Sequence, residues 1–327
     1  PMKRIALSLS AALLTAATTG AFAQADAAKN YPDKPIRLIM PTAPGSANDT
    51  LARIVAIKLG EALGQQIIID NRAGAGGVLG MEIGKNANPD GYTVVAASTA
   101  AMSIAPHIYR KLPYDPLNDY LFVSMFGVTP NLLVVNPSLP IKTTKELIDY
   151  AKANPAKFNM ASAGPGSQSH LAGVYLQVKA GFESMHVPYK GGGASVASVV
   201  ANESQWTITP APAVMSLVNG GRLRAIGQSL PKRTPLLPDV PAVAETVPGF
   251  DYSGWNGLLL PKGTPRAIQD KLRAALIKAV ESKEVKDAFT RQGADATTNT
   301  PQEFRALVAD EIKNIGPVVK AAGLKVE

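Results

Sequence analysis

Glycine-bearing turns are the segments of this sequence best suited to binding chemistry. Three of them precede helical patterns, at 45–48, 74–77 and 164–169, and a fourth, at 190–193, has Lys190 beside its glycines. Backbone N–H groups at the start of a helix attract anions without help from a basic side chain. A single glycine turn is equally well explained as a tight turn. Four turns at corresponding positions favour a shared role, with a carboxylate as the natural target.

The sequence contains partial matches to nucleotide-binding and hydrolase motifs, but their residues are missing or wrongly spaced. The segment from Gly74 lacks the third glycine of a dinucleotide fingerprint, and Gly84-Lys85 is not followed by Ser or Thr as a phosphate-binding loop requires. Ser167 and His170 lie near each other, but no nucleophile elbow is present. Acidic residues do not cluster as a glycosidase pair or a metal site would require. The sequence predicts no catalytic residue, no metal and no cofactor.

Composition narrows the class of protein further. The 327 residues are 46% hydrophobic and 18% charged, which is enough for packed cores in two domains. The absence of Cys excludes disulfides, Cys-ligated zinc, iron–sulfur clusters and thiol catalysis. The formal charge is +8, but the basic residues are dispersed and aromatic residues make up only 6%. Nucleic acid is therefore not an expected partner.

Apolar runs and helical stripes alternate along the first third of the chain. Residues 36–40 form a short apolar run, and residues 51–63 have apolar positions at helical spacing. Residues 66–69 are interpreted as a buried strand and residues 92–97 as the next strand. The alternation predicts an α/β fold with a parallel sheet covered on both faces. Loops at the carboxyl ends of such strands are where ligands bind.

The same pattern restarts in the middle of the chain. A strand is predicted at 158–161 and a helical stripe covers 171–178. Pro44-Gly45-Ser46 and Pro165-Gly166-Ser167 occupy equivalent strand-to-helix turns, and a Leu-Ala pair follows each. This internal repeat predicts two lobes of similar construction.

Helix starts are indicated by capping residues. Thr143 with Glu146 predicts a capping box for a helix that ends at 153. Thr264-Pro265 is interpreted as N-cap and first helical residue, and Thr300-Pro301 with Glu303 marks the last helix.

The order of these elements predicts how the chain divides. The proline-rich segment 255–265 is interpreted as a connector on the hinge side. We expect lobe I to combine 29–128 with 253–327, and lobe II to comprise 129–252.

The N-terminus has the pattern of a signal peptide over residues 1–24. Lys3 and Arg4 form a basic region, an apolar segment follows, and Ala21-Phe22-Ala23 matches a cleavage site. The segment is short for a membrane anchor and contains several hydroxyl residues. Export to the periplasm with cleavage near Ala23 is the prediction.

Six separated motifs resemble those of one protein family. They are Tyr31-Pro32-x-Lys34-Pro35-Ile36-Arg37, Pro44-Gly45 with Asp49, Leu51-Ala52-Arg53, Asn71-Arg72-x-Gly74-Ala75-Gly76-Gly77, Ala87-x-Pro89-Asp90-Gly91-Tyr92-Thr93 and Val187-Pro188-Tyr189-Lys190-Gly191-Gly192. From about residue 31 to its end the chain resembles the Bug family, the periplasmic substrate-binding components of tripartite tricarboxylate transporters. The resemblance implies an α/β, two-lobed, type II-like periplasmic binding-protein fold, with a mixed or parallel sheet flanked by helices in each lobe. It also implies a carboxylate in the interlobe cleft and a membrane permease as partner.

The resemblance further implies a set of ligand-binding residues, with Ser167 and Ser169 as hydroxyl donors. In chain order they are Ala43, Gly45, Ser46, Ala47, Asn48, Asp49, Ala75, Gly76, Gly77, Ser98, Thr99, Ala100, Gly166, Ser167, Ser169, His170, Lys190, Gly191 and Thr209.

Neutral residues replace acidic ones at three positions of the family pattern, namely Ser198, Gln205 and Thr209. An Asp at the position of Thr209 could pair with the ammonium group of a ligand. Because Thr209 is neutral, an amino acid becomes a less favoured ligand, and a dicarboxylate or an aromatic carboxylate becomes a more favoured one. Trp206 and Trp255 are interpreted as core residues, with an aromatic platform for the ligand as the alternative.

These observations predict a monomeric solute-binding protein that delivers an organic carboxylate to a permease. A receptor that presents the carboxylate to a sensor protein uses the same cleft and stays open as an alternative. A secreted hydrolase is disfavoured because no nucleophile–base pair is visible.

Overall fold

The computed structural model describes residues 29–154 and 157–323. The predicted signal peptide, residues 1–24, lies outside this range. Within the described residues, none of the helices combines the length and the apolar character needed to span a bilayer.

The elements follow one another in a mixed order of strands and helices. In chain order they are β1 (Ile36–Met40), α1 (Ala47–Leu63), β2 (Ile67–Asn71), α2 (Val78–Lys85), β3 (Thr93–Ser98), β4 (Tyr120–Thr129), β5 (Asn131–Val135), α3 (Thr144–Ala153), β6 (Asn159–Ser162), α4 (Gln168–Ala180), β7 (Met185–Pro188), α5 (Gly192–Val200), β8 (Trp206–Pro210), α6 (Met215–Asn219), β9 (Arg224–Gln228), β10 (Gly254–Pro261), α7 (Arg266–Glu281), α8 (Lys283–Arg291) and α9 (Pro301–Ala321). Short helical turns occur at Ala75–Gly77, Ala100–Ile104, Ala105–His107, Ala211–Ala213 and Val243–Glu245.

The first lobe is built on a five-stranded sheet in the order β2-β1-β3-β10-β4. β1 is parallel to β2 and β3, whereas β10 is antiparallel to β3 and β4. Alternate residues of β3 enter two different cores, because successive side chains of a strand point to opposite faces. Val94 packs with α1, α7 and α8, and Val95 packs with α2 and α9. Helices therefore cover both faces of this sheet.

The second lobe repeats this plan with a sheet in the order β7-β6-β8-β5-β9. β6 is parallel to β7 and β8, and β5 is antiparallel to β8 and β9. α3 and α4 pack on one face, and α5 and α6 pack on the other. The predicted α/β fold with two helix-flanked lobes is confirmed. Both sheets combine parallel and antiparallel strands, so the mixed form of the expected mixed or parallel sheet is the one present.

Two sequence predictions for the first lobe need correction. The strand predicted at 66–69 is Ile67–Asn71, and it is an edge strand in which Ile68 is 52% exposed. Its run of isoleucines suggested burial on both faces, but among the described residues no strand pairs with its outer edge and one face is exposed at Ile68. The segment 255–265 is not a connector, because Gly254–Pro261 forms β10 in the middle of the sheet, with every residue buried.

Two of the three predicted helix starts are confirmed. Capping boxes are present at Thr143 with Glu146 and at Thr300 with Glu303. The third prediction is wrong by one residue, because Pro265 itself is the N-cap and the Thr264 hydroxyl donates to the carbonyl of Pro261. The Thr264 side chain is thus directed back to the strand end, and no side chain caps this helix start.

The chain passes between the sheets at two adjacent places. Thr129 ends β4 and pairs with Gly254, while Asn131 begins β5 and its amide donates to the carbonyl of Tyr252. α9 packs on the first sheet and ends in the core of the second, to which Ile315 contributes. The predicted lobe boundaries, 29–128 plus 253–327 and 129–252, stay a prediction.

We expect Gly84→Ala to destabilise the protein. A Cβ on Gly84 would lie 2.2 Å from Cγ2 of Val95, a fully buried side chain that is stiff at χ1. Overpacking of this kind costs about 1–3 kcal/mol, more than the helix propensity that alanine adds. Urea unfolding measures the difference. Gly192→Ala is the matched control, since no atom lies within 4 Å of its new methyl group. Equal urea concentrations at the midpoint of unfolding for G84A and the wild type would contradict the packing described for α2.

Candidate functional site

α1 in the first lobe and α4 in the second begin from the same kind of turn. Gly45 and Gly166 have φ angles of 75° and 71°, in the left-handed region that favours glycine. The serines that follow are the N-caps of α1 and α4, with φ/ψ of −68°/161° at Ser46 and −68°/159° at Ser167. The internal repeat inferred from the sequence is therefore present in the backbone geometry.

The third helical residue completes each turn. Asp49 Oδ2 accepts the N–H of Gly45 at 2.9 Å, and His170 Nδ1 accepts the N–H of Gly166 at 3.2 Å. The N–H groups of Asp49 and His170 in turn donate to the N-cap serines. The first two helical N–H groups have no partner within a helix and point out of its end. Each lobe thus presents two backbone N–H donors. Hydrogen bonds of the third helical residue, one from its side chain to the glycine and one from its N–H to the serine, fix the turn that carries them.

Asp49 is fully engaged within the first lobe. Its Oδ2 also accepts from Arg53, and its Oδ1 accepts from Asn71 at 2.9 Å. Burial alone raises the pKa of this carboxyl, but the hydrogen bonds from Arg53, Asn71 and Gly45 outweigh it and hold the pKa below its usual value. The carboxylate therefore remains ionised and has a structural role in the turn.

Two stacked imidazole rings support the turn of the second lobe. The rings of His170 and His186 lie 3.9 Å apart at an interplanar angle of 10°. Nε2 of His186 lies 2.6 Å from the Ser162 hydroxyl, which accepts the N–H of Gly164. Burial, with a smaller contribution from His186, lowers the pKa of His170 to about 4. His170 is thus neutral at pH 7, as its acceptor role at Nδ1 requires.

The three predicted loops of the first lobe converge at one edge of its sheet. They follow β1, β2 and β3, which are parallel neighbours. A Cβ on Gly77 would lie 3.2 Å from Cβ of Ala101 and 3.3 Å from Cβ of Pro41. Gly77 therefore joins the three loops at a place where a larger residue does not fit.

The second lobe contacts the first around these turns. A Cβ on Gly191 would lie 3.5 Å from Cβ of Ala43, and a Cβ on Gly166 would lie 2.5 Å from Cδ1 of Ile108. α1 also lies against the turn Ala211–Ala213. The two glycine turns therefore both lie where the lobes touch.

Buried polar atoms without partners lie in the same turns. In the described part of the chain, neither Nδ2 nor Oδ1 of Asn48 has a hydrogen-bond partner, and the same holds for Oγ1 of Thr99 and Nε2 of Gln168. A buried polar group left unpaired costs about 1–3 kcal/mol. Such atoms in these turns indicate a place for a polar ligand.

The other predicted ligand-binding side chains differ in their hydrogen bonds and in their exposure to solvent. The hydroxyls of Ser167 and Ser169 lie 3.2 Å apart, and Ser169 also accepts the N–H of Ala163. Lys190 is exposed, whereas Thr209 is buried in β8 opposite Leu132. Their roles as ligand-binding residues stay predictions.

Sequence reasoning missed Gln168 and Ile108. Gln168 lies between two predicted residues, but only the structure shows that its amide is buried against the strand returning to lobe I. A Cβ on Gly254 would lie 2.1 Å from its Nε2. Ile108 follows the predicted third loop and carries no sequence signal beyond its apolar character.

The two tryptophans are core residues. Trp206 is fully buried, packs against Phe158 and Phe182, and donates from Nε1 to the Ser184 hydroxyl. Trp255 lies in β10 and donates to Glu311 at 2.7 Å. Neither indole forms an aromatic platform at the turns.

A surface groove of about 790 Å³ lies away from the glycine turns, between α1 and the edge strand β2. It contains none of the predicted ligand-binding residues. Its lining carries no buried unpaired polar atom, which favours the glycine turns as the binding site.

Comparison with known proteins gives consistent matches along the chain. The TctC family, described as the tripartite tricarboxylate transporter family receptor, matches residues 51–324. Protein BugT of Bordetella pertussis is 36% identical over 311 residues, covering 94% of this chain and 95% of BugT.

Two solved structures from Rhodopseudomonas palustris share the fold. Rpa4515 with adipate has a TM-score of 0.87 at 30% identity, covering 91% of this chain and 100% of that one. MatC with bound malate has a TM-score of 0.83 at 30% identity, covering 88% of this chain and 100% of that one.

We expect His170 to make the fold sensitive to acid. The unfolded chain binds a proton near pH 6.5 and the folded chain near pH 4, so the free energy of unfolding falls as pH is lowered between these values. The loss from this group between pH 7.5 and 5 is about 2 kcal/mol. His170→Asn keeps an acceptor near Gly166 but does not titrate. Urea unfolding at the two pH values should show a smaller loss for H170N, and equal losses would contradict this assignment.

Proposed function

The chain belongs to the tripartite tricarboxylate transporter receptor family, and on that premise we propose that it captures a dicarboxylate between its lobes and delivers it to a membrane permease. The resemblance to the Bug family inferred from the sequence is confirmed by the matches to TctC and BugT. The chain is thus a periplasmic solute-binding protein by family. The ligand class and the permease are the proposed part.

The observation that carries the proposal is that two matching glycine turns, one in each lobe, lie where the lobes meet. Each turn presents two outward N–H groups at the start of a long helix, where the helix dipole also favours negative charge. One carboxylate would lie at Ala47 and Asn48 with Gly76 and Gly77 beside it. The other would lie at the start of α4. A ligand with two carboxylates uses both sets of donors at once, which explains why closure of the lobes would depend on it.

Two further features support a dicarboxylate over the alternatives. The only carboxylate in the first-lobe turn, Asp49, already binds Gly45, Arg53 and Asn71, and Thr209 is neutral. An ammonium group would therefore find no free negative partner. Trp206 is packed in the core and is not available to stack on an aromatic carboxylate. Homologous proteins with adipate and malate are consistent with this choice.

The proposal places the mature protein in the periplasm after removal of residues 1–24. The permease would recognise the closed form, because only that form brings the two lobes into a fixed arrangement around the ligand. No observation favours a sensor protein over a permease as partner.

We expect dicarboxylates to bind and to stabilise the protein. A ligand present at a hundred times its Kd raises the free energy of unfolding by about 2.7 kcal/mol. Thermal shift and calorimetry with four- to six-carbon dicarboxylates should show binding at least about 100-fold tighter than that of monocarboxylates of equal length, since a single carboxylate leaves one set of donors unused. Aspartate should bind more weakly than its counterpart without the amine. Equal affinity for mono- and dicarboxylates would contradict the divided site.

Lys190→Ala should weaken dicarboxylate binding by no more than about tenfold, or 1.4 kcal/mol. Lys190 is the one Lys or Arg among the predicted ligand-binding residues, and it is exposed to solvent, which screens its charge. Calorimetry measures the affinity, and Lys179→Ala on α4, outside the predicted site, is the control. Complete loss of binding by a folded K190A protein would show that a charge–charge contact dominates over the backbone donors.

A further inference from the structure

Asn48 is the second residue of α1, and its side chain is almost completely enclosed. It is 7% exposed, and neither Nδ2 nor Oδ1 has a hydrogen-bond partner in the part of the chain that the structure describes. The second lobe lies against α1 at Ala211–Ala213. A folded protein rarely buries both the nitrogen and the oxygen of a side-chain amide without hydrogen-bond partners. The Asn48 amide is therefore available to a ligand that enters between the lobes.

The chemistry of an amide limits what that group can be. Whichever way the amide is turned, it offers a nitrogen that donates through its two N–H bonds and an oxygen that only accepts. An ionised carboxylate only accepts hydrogen bonds. It can pair with Nδ2, but it leaves Oδ1 without a donor. The ligand must therefore carry a donor close to its first-lobe carboxylate if it is to satisfy both atoms.

A hydroxyl group fits this requirement better than an ammonium group. Asp49, the neighbouring acid, has both oxygens occupied by Gly45, Arg53 and Asn71. The positive charge of Arg53 lies 2.9 Å from that carboxylate and opposes a second cation nearby. A hydroxyl is neutral and can donate to Oδ1 without any charged partner. The buried and unpaired Oγ1 of Thr99 adds another polar contact in the adjoining loop.

We propose that Asn48 is a specificity-determining residue that binds a hydroxyl beside the first-lobe carboxylate, so that the preferred ligands are 2-hydroxydicarboxylates. This inference rests on the proposed function, since it assigns the ligand class of the same site. The backbone N–H groups of the turn bind any carboxylate, whereas the Asn48 side chain would distinguish ligands with a 2-hydroxyl group from those without one.

Matched pairs of ligands test the inference. Calorimetry compares four-, five- and six-carbon dicarboxylates with their 2-hydroxy derivatives on the full chain. The wild type should bind the hydroxy member of the best pair at least about tenfold more tightly, a difference of 1.4 kcal/mol. Asn48→Ala should reduce this ratio to about one, mainly by weakening the hydroxy ligand. Asn48→Asp keeps the shape of the side chain and should weaken both members, because its charge repels the carboxylate.

Asn136 supplies the matched control. It is also 7% exposed, but its amide donates to the carbonyls of Val199 and Val200 and accepts from Ser138. Asn136→Ala should lower the free energy of unfolding and leave the hydroxyl preference unchanged. Equal affinity of the wild type for both members of every pair, or a preference that survives in N48A, overturns the inference while the proposed function stands. Failure of the wild type to bind any dicarboxylate overturns both.

Discussion

Both proposed binding turns depend on a glycine in the left-handed region that is followed by a serine N-cap. Without positive φ at Gly45 and Gly166 the chain could not turn sharply enough from strand to helix to leave the first helical N–H groups open. The acceptors that complete the two turns differ, a carboxylate at Asp49 and a neutral imidazole at His170. The geometry they hold is nearly the same. The same backbone conformation thus occurs in both lobes, although the side chains that complete the turns differ.

The sheets determine where these turns lie. Parallel pairing of β1, β2 and β3 brings three first-lobe loops to one sheet edge, and the equivalent pairing of β6, β7 and β8 does the same in the second lobe. The chain passes between the lobes at two adjacent places, near Thr129 and Gly254. Gln168 from α4 lies against Gly254 at this crossing. The glycine turn of the second lobe is therefore adjacent to the crossing between the lobes.

Much of this could be predicted from local sequence signals. Ser46 and Ser167 cap their helices because the turn residues that precede them leave few other conformations, and the capping boxes at Thr143 and Thr300 are equally local. The antiparallel position of β10 could not be predicted, because the pairing of Gly254 with Thr129 joins residues far apart in the chain. The same is true of Gln168 and of the unpaired amide of Asn48. Burial of a polar atom depends on what the other lobe places over it, and no local pattern encodes that.

We propose that the helix starts of both lobes hold one ligand at the same time. Amide NMR of the ¹⁵N-labelled protein, titrated with a dicarboxylate, distinguishes this arrangement from binding by a single lobe. The amide signals of Asn48, Gly76 and Gly77 in the first lobe and of Gln168 and Ser169 in the second should shift together with a single Kd. Shifts confined to the amides of one lobe, or two separate dissociation constants, would contradict it.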